Sequence, residues 1–405
     1  MTRRRILESL TTVAAVGLLL TACGSSSGSG TETPSSQNST TSEVPQVDAG
    51  SFTADFSVMK QLTDLAAQGK GMIGVLLPDT TTSTRYVQYD KPYLTQAFEA
   101  AGLTSDDFKI DNADGSAATM QTQAEADINA GASVLLVDPL DAGSGAAIEA
   151  KAEAAGLAVI DYDRLVTGGP ENRYYVSFDN VKVGKLMGEG LVQCIKDWNV
   201  SDPNVLIMDG DPTDHNASMF AEGYKSVLKP LFDDGTYTKV GEPAGTWDPQ
   251  QAATTFQQQL TAHPEMNAAI TPNDDNANAV ISILKSNGVD SKTFPTTGQD
   301  ASLPGLKNIL TGYQCGTVYK PIYLEAQAAA ALAIYLRAGV TPPDTLVNAT
   351  TKDTEIGADI PSVYTTPIWV TTENMAKTVV ADKTVTVDDL CSGDAASACD
   401  EAGIG

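Results

Sequence analysis

Basic residues are scarce in this sequence. Its 405 residues contain 25 Lys and Arg against 51 Asp and Glu, a formal net charge of −26 at pH 7. Nucleic-acid phosphates are bound chiefly by Lys and Arg, so a chain this acidic is a poor match for DNA or RNA. The same imbalance argues, more weakly, against a polyanionic ligand.

Histidine and the short motifs of common enzymes are also rare or missing. The chain has two His, five Cys and no Cys-x-x-Cys spacing, so we expect no metal site. It has no Walker A, His-Glu-x-x-His or Gly-x-Ser-x-Gly motif. Asp141–Ala150 contains Gly-x-Gly, but Ile148 stands where the dinucleotide fingerprint needs a third Gly. We therefore expect a protein without a cofactor and without catalytic activity.

Long apolar runs are missing, apart from a short one near the N-terminus. Arg3–Arg5 precede Val13–Leu20, which is too short to span a bilayer, so residues 1–22 are interpreted as an export signal. The signal ends in Leu-Thr-Ala before Cys23, which resembles a lipobox and predicts a lipid on the Cys23 sulfur. An ordinary cleavage site beside an unrelated Cys is the alternative. The start TRRRIL also resembles a twin-arginine signal, so the export route stays open.

The segment that follows is rich in Ser, Thr and Gly. It has little apolar content to bury, so we expect residues 23–52 to be a disordered tether. As a flexible chain, Gly24–Gly50 would reach roughly 30 Å. A lipid anchor followed by a tether predicts a protein held at the outer face of the cell membrane.

Four cysteines remain if Cys23 carries a lipid. Cys391 and Cys399 lie close together in a tail rich in small residues and are expected to pair. Cys194 and Cys315 then form the remaining pair. Buried free thiols are the alternative.

From Gly71 onward, short apolar runs of β type alternate with amphipathic helical stretches. This alternation is typical of parallel sheets covered by helices on both faces. The expected strands are too many for a single sheet of ordinary size, so two doubly wound α/β lobes fit the pattern better. Strands are expected at Met72–Leu77, Phe108–Ile110, Val134–Val137, Ala158–Ile160, Tyr174–Phe178, Asn204–Met208, Ala268–Thr271 and Phe294–Thr297. Helices are expected between and after them, including Pro249–Ala262 and Leu303–Leu310.

Polar side chains follow these strands at their carboxyl ends, where doubly wound sheets bind ligands. In Ala158–Arg164, AVIDYDR, a buried strand ends in two acids, a ring and a guanidinium group. Asp138, Asp179 and Asp274 at such junctions are as readily explained as helix caps. Capping does not explain the cationic and aromatic residues of the set, which are Arg85, Arg164, Lys320 and Trp247.

The mixture of side chains at these ends suits a neutral polyol. Carboxylate, amide and guanidinium groups are planar and match vicinal hydroxyls, and aromatic rings cover the C–H face of a sugar. An acid pair such as Asp214 and Asp300 could instead hydrolyse a glycoside. The rest of the set favours simple binding over hydrolysis.

Seven segments resemble the type I periplasmic sugar-binding proteins of ABC importers, especially the xylose-binding branch and its multiple-sugar relatives. They follow the family's order over about Gly71 to Pro367 and read VLLVDPLDAGSGAAIEAKAEAAG, DYDR, YYVSFDNVKVGKLMGEGLV, DGDPTDHNASMFAEG, TPNDDNANAV, TTGQDA and TVYKPI. The resemblance implies two Rossmann-like doubly wound lobes joined by a three-crossover hinge, with the sugar between them. It implies an N-terminal lobe at 53–175 completed by 320–367, a C-terminal lobe at 176–319, and a last crossover and tail at 368–405. Crossovers near Tyr174–Phe178, Lys320 and Pro367 would place Cys194 and Cys315 in one lobe, which supports their pairing.

The resemblance also implies the sugar contacts, residue by residue. Two positions depart from the family: Tyr86 stands where a Trp is more usual, and His215 replaces the middle Asn of a Pro-x-Asp-Asn-Asn-Ala motif. These departures bear on which sugar is bound. The implied contacts are Arg85, Tyr86, Arg164, Asp214, Asn216, Trp247, Asn273, Asp300 and Lys320.

The implied function is that of an extracytoplasmic substrate-binding lipoprotein. It would bind a neutral monosaccharide, D-xylose before glucose, galactose or arabinose, and deliver it as a monomer to an ABC permease. The alternatives are a multiple-sugar receptor that presents sugar to a membrane sensor, a secreted glycosidase, and a sugar-phosphate binder. Asp214 and Asp300 in the same cleft disfavour the sugar-phosphate binder. The export signal disfavours a repressor of the same fold.

Overall fold

The computed structural model describes residues 44–81 and 83–404. The expected signal peptide, Cys23 and the tether up to residue 43 lie outside this part of the chain. Within it, no helix combines the length and the apolar character that crossing a membrane requires.

The strands form two separate sheet regions. The first is a seven-stranded sheet in the order β10-β11-β5-β4-β3-β1-β2, parallel except for β10. The second comprises the parallel set β7-β6-β8 and the antiparallel pair β12-β9, with single bridges from Thr296 and Gln299 between them. The strands are β1 Met72–Leu77, β2 Phe108–Asn112, β3 Ala132–Val137, β4 Ala158–Tyr162, β5 Tyr174–Phe178, β6 Asn204–Ile207, β7 Thr238–Gly241, β8 Ala268–Ile270, β9 Thr317–Tyr319, β10 Ala349–Lys352, β11 Asp359–Thr365 and β12 Ile368–Val370.

Helices follow most of the parallel strands, as the alternating pattern predicts. Several begin at an Asp, Asn or Ser whose side chain accepts from the first turn, including Asp141, Asp179 and Asn273. A π-helical turn, Tyr86–Asp90, leads directly into α2. The helices are α1 Thr63–Ala66, α2 Lys91–Ala100, α3 Ala117–Asn129, α4 Ala142–Ala154, α5 Asn180–Asp197, α6 His215–Asp233, α7 Pro249–Ala262, α8 Asp274–Ser286, α9 Leu303–Leu310, α10 Ile322–Arg337, α11 Val387–Leu390 and α12 Ala396–Glu401.

Each lobe buries both faces of its sheet. In the first lobe α2 and α10 cover one face, and α3 and α4 cover the other. In the second lobe α5 and α6 lie on one face, and α7 and α8 on the other. The central strands of each sheet are therefore apolar along their length, because neither of their faces meets water.

The chain passes between the lobes three times. It leaves the first sheet after β5, returns between β9 and α10, and leaves again between β11 and β12. The carboxyl ends of β1, β4, β6 and β8 all lead into residues at the cleft between the lobes.

Two expectations about segments are corrected. Residues 44–52 were assigned to the disordered tether, but Val47 and Phe52 are buried and Thr345 binds this segment through two hydrogen bonds. A few well-spaced apolar side chains suffice to fold a segment whose average composition is polar. Phe294–Thr297 was expected to be a strand, but only Thr296 makes a bridge, to Ala269.

The C-terminal segment is folded onto the second lobe. Val370, Met375 and Leu390 pack with Leu306 of α9 in a separate apolar cluster. The structure joins Cys391 to Cys399 in this segment and Cys194 to Cys315 in the second lobe, which are the two pairs put forward from the sequence.

Candidate ligand-binding site

A single cavity between the lobes brings together all nine residues implied as sugar contacts. The empty space among these side chains is about 310 Å³, part of which is open to solvent. Four further residues line it that were not in the implied set: Ser83, Asp163, Phe220 and Gln299. His215, the other departure from the family motif, lies outside this cavity in a groove at the rim of the cleft.

Arg85 is held almost entirely by the protein itself. Its guanidinium group donates to both oxygens of Asp90 at 2.7 and 3.0 Å, to Asp163 at 2.7 Å and to Glu325 at 2.9 Å. These bonds use four of its five N–H donors. Arg85 can therefore give a ligand at most one hydrogen bond, and its larger role is to bind three buried carboxyl groups.

The turn that follows β4 explains the polar end of AVIDYDR. Asp163 has a φ of 57°, in the left-handed region, and its backbone carbonyl accepts from Tyr175, Ser177 and Asn216 at 2.8–2.9 Å. Asn216 reaches this carbonyl from the second lobe. The turn therefore joins the two lobes as well as shaping the cavity.

The side chains of this turn orient Arg85. The Asp163 carboxylate accepts from Arg85 and, at 3.0 Å, from the Tyr86 hydroxyl, while Tyr162 donates to Asp90 at 2.6 Å. Burial alone would raise the pKa of Asp163, but nearby Arg85, Lys320 and Arg164 outweigh it and lower the pKa to about 2. Asp163 is therefore a charged part of the cavity wall.

Arg164 reaches across the cleft to the second lobe. Its Nε lies 3.2 Å from Asp214 Oδ2, and its Nη1 donates to the Pro139 carbonyl at 3.1 Å. Asp214 also accepts from Trp247 Nε1 at 3.0 Å and caps the first turn of α6. Asp138 lies against Arg164 but does not line the cavity. Burial raises its pKa well above the usual range. The ion pair with Asp214 fixes the edge of Trp247 at the cavity.

Lys320 and Asp300 form the wall beside the second crossover. Lys320 Nζ lies 3.2 Å from Asp300 Oδ1 and 3.7 Å from Asp163 Oδ1. Asn273 caps α8 through its Oδ1, which leaves its amide group at the cavity. Gln299 is 3 % exposed, and its Oε1 has no hydrogen-bond donor among the described residues. A ligand hydroxyl is the simplest donor for this oxygen.

The charges of the cavity balance within the protein. Arg85, Arg164 and Lys320 line the cavity together with Asp163, Asp214 and Asp300, and these six groups form three ion pairs at 2.7–3.2 Å. Tyr86 lies between two guanidinium groups, 5.2 Å from Arg85 and 5.6 Å from Arg164. Among residues 44–81 and 83–404, no cluster of His, Cys, Asp or Glu is arranged to hold a metal ion. The arrangement suits an uncharged ligand that both donates and accepts hydrogen bonds.

Comparison with known proteins agrees with this fold. The model of the periplasmic binding protein domain matches residues 73–340. The chain is 34 % identical to the D-xylose-binding periplasmic protein of Escherichia coli over 79 % of this chain and 93 % of that protein. It is 31 % identical to the multiple sugar-binding periplasmic receptor ChvE of Rhizobium radiobacter over 78 % of this chain and 90 % of that receptor. The chain belongs to the periplasmic binding protein family.

Comparison with solved structures also finds a solute-binding protein of similar fold. A carbohydrate transporter solute-binding protein from Chloroflexus aurantiacus, in complex with D-glucose, has a TM-score of 0.71 and 26 % identity. The alignment covers 79 % of this chain and 98 % of that one. The expected type I two-lobed fold, the resemblance to the sugar-binding branch and the expectation of a binding protein rather than an enzyme are confirmed.

Proposed function

We propose that this protein binds a neutral monosaccharide, D-xylose foremost, in the cleft and delivers it to an ABC permease. The observation that carries the proposal is the charge balance of the cavity, where each of Arg85, Arg164 and Lys320 is already paired. A phosphate would have to displace these carboxylates, whereas sugar hydroxyls can donate to them and accept from the remaining N–H groups.

D-xylose is placed first because of two relatives. D-xylose-binding periplasmic proteins of Escherichia coli and Haemophilus influenzae are 34 % and 31 % identical to this chain. The multiple sugar-binding receptor ChvE, at 31 % identity, supports a second candidate, a receptor for several monosaccharides. A panel of monosaccharides separates the two candidates.

The proposal includes the location of the protein and its assembly. Cleavage before Cys23 and lipidation of its sulfur would hold the protein at the outer face of the membrane. There it would act as a monomer, with residues 24–43 as the tether. Mass spectrometry of the membrane-extracted protein would detect the lipid, and Cys23→Ala should release the protein from the membrane.

The nine-residue site is tested by removing one side chain from each lobe. Arg164→Ala and Asp300→Ala should each abolish measurable sugar binding in calorimetry while thermal unfolding stays cooperative. Arg337→Ala is the matched control, because Arg337 is similarly buried but pairs with Asp107 outside the cleft. Unchanged sugar affinity in either cleft variant would contradict the site.

A further inference from the structure

A groove on the surface of the second lobe lies apart from the proposed sugar site. It runs between α5 and residues 369–374, and it shares no lining residue with the cleft cavity. Its volume is about 590 Å³, within the range of about 300–1,000 Å³ typical of small-molecule sites. The disulfide between Cys194 and Cys315 lines it and joins α5 to the chain that enters β9. We call this feature the α5 groove.

Two tryptophans line the α5 groove at separate points. The Trp369 indole lies against Gly190 of α5, where a Cβ atom would be 2.3 Å from the ring. Trp198 caps the end of α5, about two helical turns and about 12 Å along the helix from Gly190. Trp369 borders the apolar core of the second lobe, but no apolar cluster of the described residues includes Trp198. The two aromatic surfaces therefore follow one another along the groove, and core packing does not explain the second.

Both indoles keep an unused hydrogen-bond donor. Neither the Trp198 nor the Trp369 N–H has an acceptor among residues 44–81 and 83–404, and neither is a buried unpaired atom, so both are open to solvent. The carboxylates of Glu189, Asp197 and Glu373 line the same groove and can only accept. A ligand that uses both sets must donate and accept hydrogen bonds, and it must present C–H surface to the rings.

The carboxylates alone would also suit an organic cation. Glu189 already lies 3.7 Å from Lys185, however, and Asp197 accepts from Gln193 at 2.8 Å, so part of their capacity is used within α5. An ammonium group has no acceptor for the two indole N–H groups. An anion would meet three carboxylates on a chain of net charge −26. The combination favours a neutral chain rich in hydroxyl groups.

We propose that the α5 groove is a second carbohydrate site, which binds a neutral oligosaccharide along α5 with one sugar ring against each indole. All of its lining residues belong to the second lobe, so the site needs no closure of the cleft. Such a site would hold the protein beside a polymer whose hydrolysis supplies the monosaccharide of the cleft. That role rests on the proposed function, whereas the groove itself does not. Because D-xylose is the proposed cleft ligand, β-1,4-linked xylotetraose is the first probe.

The experiment is calorimetric titration of Arg164→Ala, in which the cleft should be silent, with xylotetraose and with D-xylose. Xylotetraose should bind with millimolar or tighter affinity and at least about tenfold more tightly than D-xylose, because only the chain reaches both indoles. Adding Trp198→Ala should weaken xylotetraose about tenfold, whereas Trp198→Phe, which keeps a ring, should retain most of the affinity. The matched control is Lys196→Ala, at an exposed position of α5 that does not line the groove. With the cleft intact, Trp198→Ala should leave D-xylose affinity unchanged.

A fluorescence titration gives a second readout. The chain has three Trp, so Trp247→Phe leaves only the two indoles of the α5 groove. Xylotetraose should change the emission of this variant, and D-xylose should not. The readout decides the question even if Trp198→Ala does not fold.

Three results would overturn the inference. They are no binding of xylotetraose or of cellotetraose, oligosaccharide binding that Trp198→Ala leaves unchanged, and binding of spermidine but of neither oligosaccharide. The last result would show that the groove takes a cation. Failure of the wild-type cleft to bind D-xylose would overturn the proposed function alone, since the xylotetraose titrations measure the groove separately.

Discussion

At the scale of single residues, the cavity consists of side chains that hold one another. Asp163 contacts Arg85, Tyr86 and Lys320, while Arg164 joins Asp214 across the cleft. Removing one partner of such a buried network leaves the other uncompensated. Substitutions here should therefore affect stability together with binding, and each test needs both measurements.

Asp274 offers a test of one buried carboxyl group by pH. Burial raises its pKa to about 7, so the group is protonated in the folded protein where it is ionised in the unfolded chain. The unfolded state then binds fewer protons between about pH 4 and 7, and stability falls as pH rises. Relative to Asp274→Asn, the wild-type unfolding free energy should fall by up to about 1.4 kcal/mol per pH unit in this window. Urea unfolding at several pH values would measure it, and parallel curves would refute it.

The positions of the site residues were predictable from the sequence, but their partners were not. Parallel strands present their carboxyl ends at one edge, which is why Arg164, Asp214 and Lys320 could be placed together. The bonds of Arg85 to Asp90 and Glu325 join a π-helical turn to α10, and no local pattern signals that contact. Likewise, the left-handed turn at Asp163 directs its carboxylate to Arg85 rather than to its neighbour Arg164.

At the scale of elements, the close crossing of α5 and α6 positions one wall of the cleft. A Cβ atom on Gly184 would lie 1.9 Å from the Phe220 carbonyl oxygen, and one on Gly223 would lie 2.2 Å from that of Val181. Only glycine permits backbones to approach this closely. Because Asp214 caps α6 and Asn216 lies in its first turn, the crossing also sets where these two side chains lie.

Gly184→Ala should therefore disturb both the packing and the site. The added methyl group meets backbone atoms that cannot move aside, so we expect a loss of at least about 2 kcal/mol in unfolding free energy. Sugar affinity should fall as α6 shifts. The matched control is Gly143→Ala, in an exposed part of α4 where the nearest atom would be 3.4 Å away. Stability of Gly184→Ala equal to that of Gly143→Ala would contradict this role for the crossing.

Amphipathic helices and buried parallel strands were predicted well from the sequence, whereas a fully buried helix and an exposed edge strand were not. Helices such as α7 and α9 match their expected bounds, because their apolar residues recur at helical spacing. α10 was not predicted, because it is buried almost all round and its alanine-rich sequence lacks a polar face. β7 was also not predicted, because its residues are largely exposed and polar.

At the scale of the whole molecule, the acidic net charge and the paired charges of the cleft both disfavour an anionic ligand. The chain carries a net charge of −26, and the cations of the cavity are paired with carboxylates. Such a surface repels anions, and such a cavity has no unpaired cation to hold one. The lobes and their site were predictable as a unit, while the packing of residues 44–52 and of the C-terminal segment depended on long-range contacts that composition does not show.

Calorimetric titration of the protein without residues 1–23 against D-xylose and D-xylose 5-phosphate tests whether the cleft is a receptor for a neutral sugar. We expect D-xylose to bind with micromolar or tighter affinity, without product formation, and the phosphate to bind far more weakly. Preference for the phosphate, or no heat from either sugar, would contradict the proposal while leaving the fold intact.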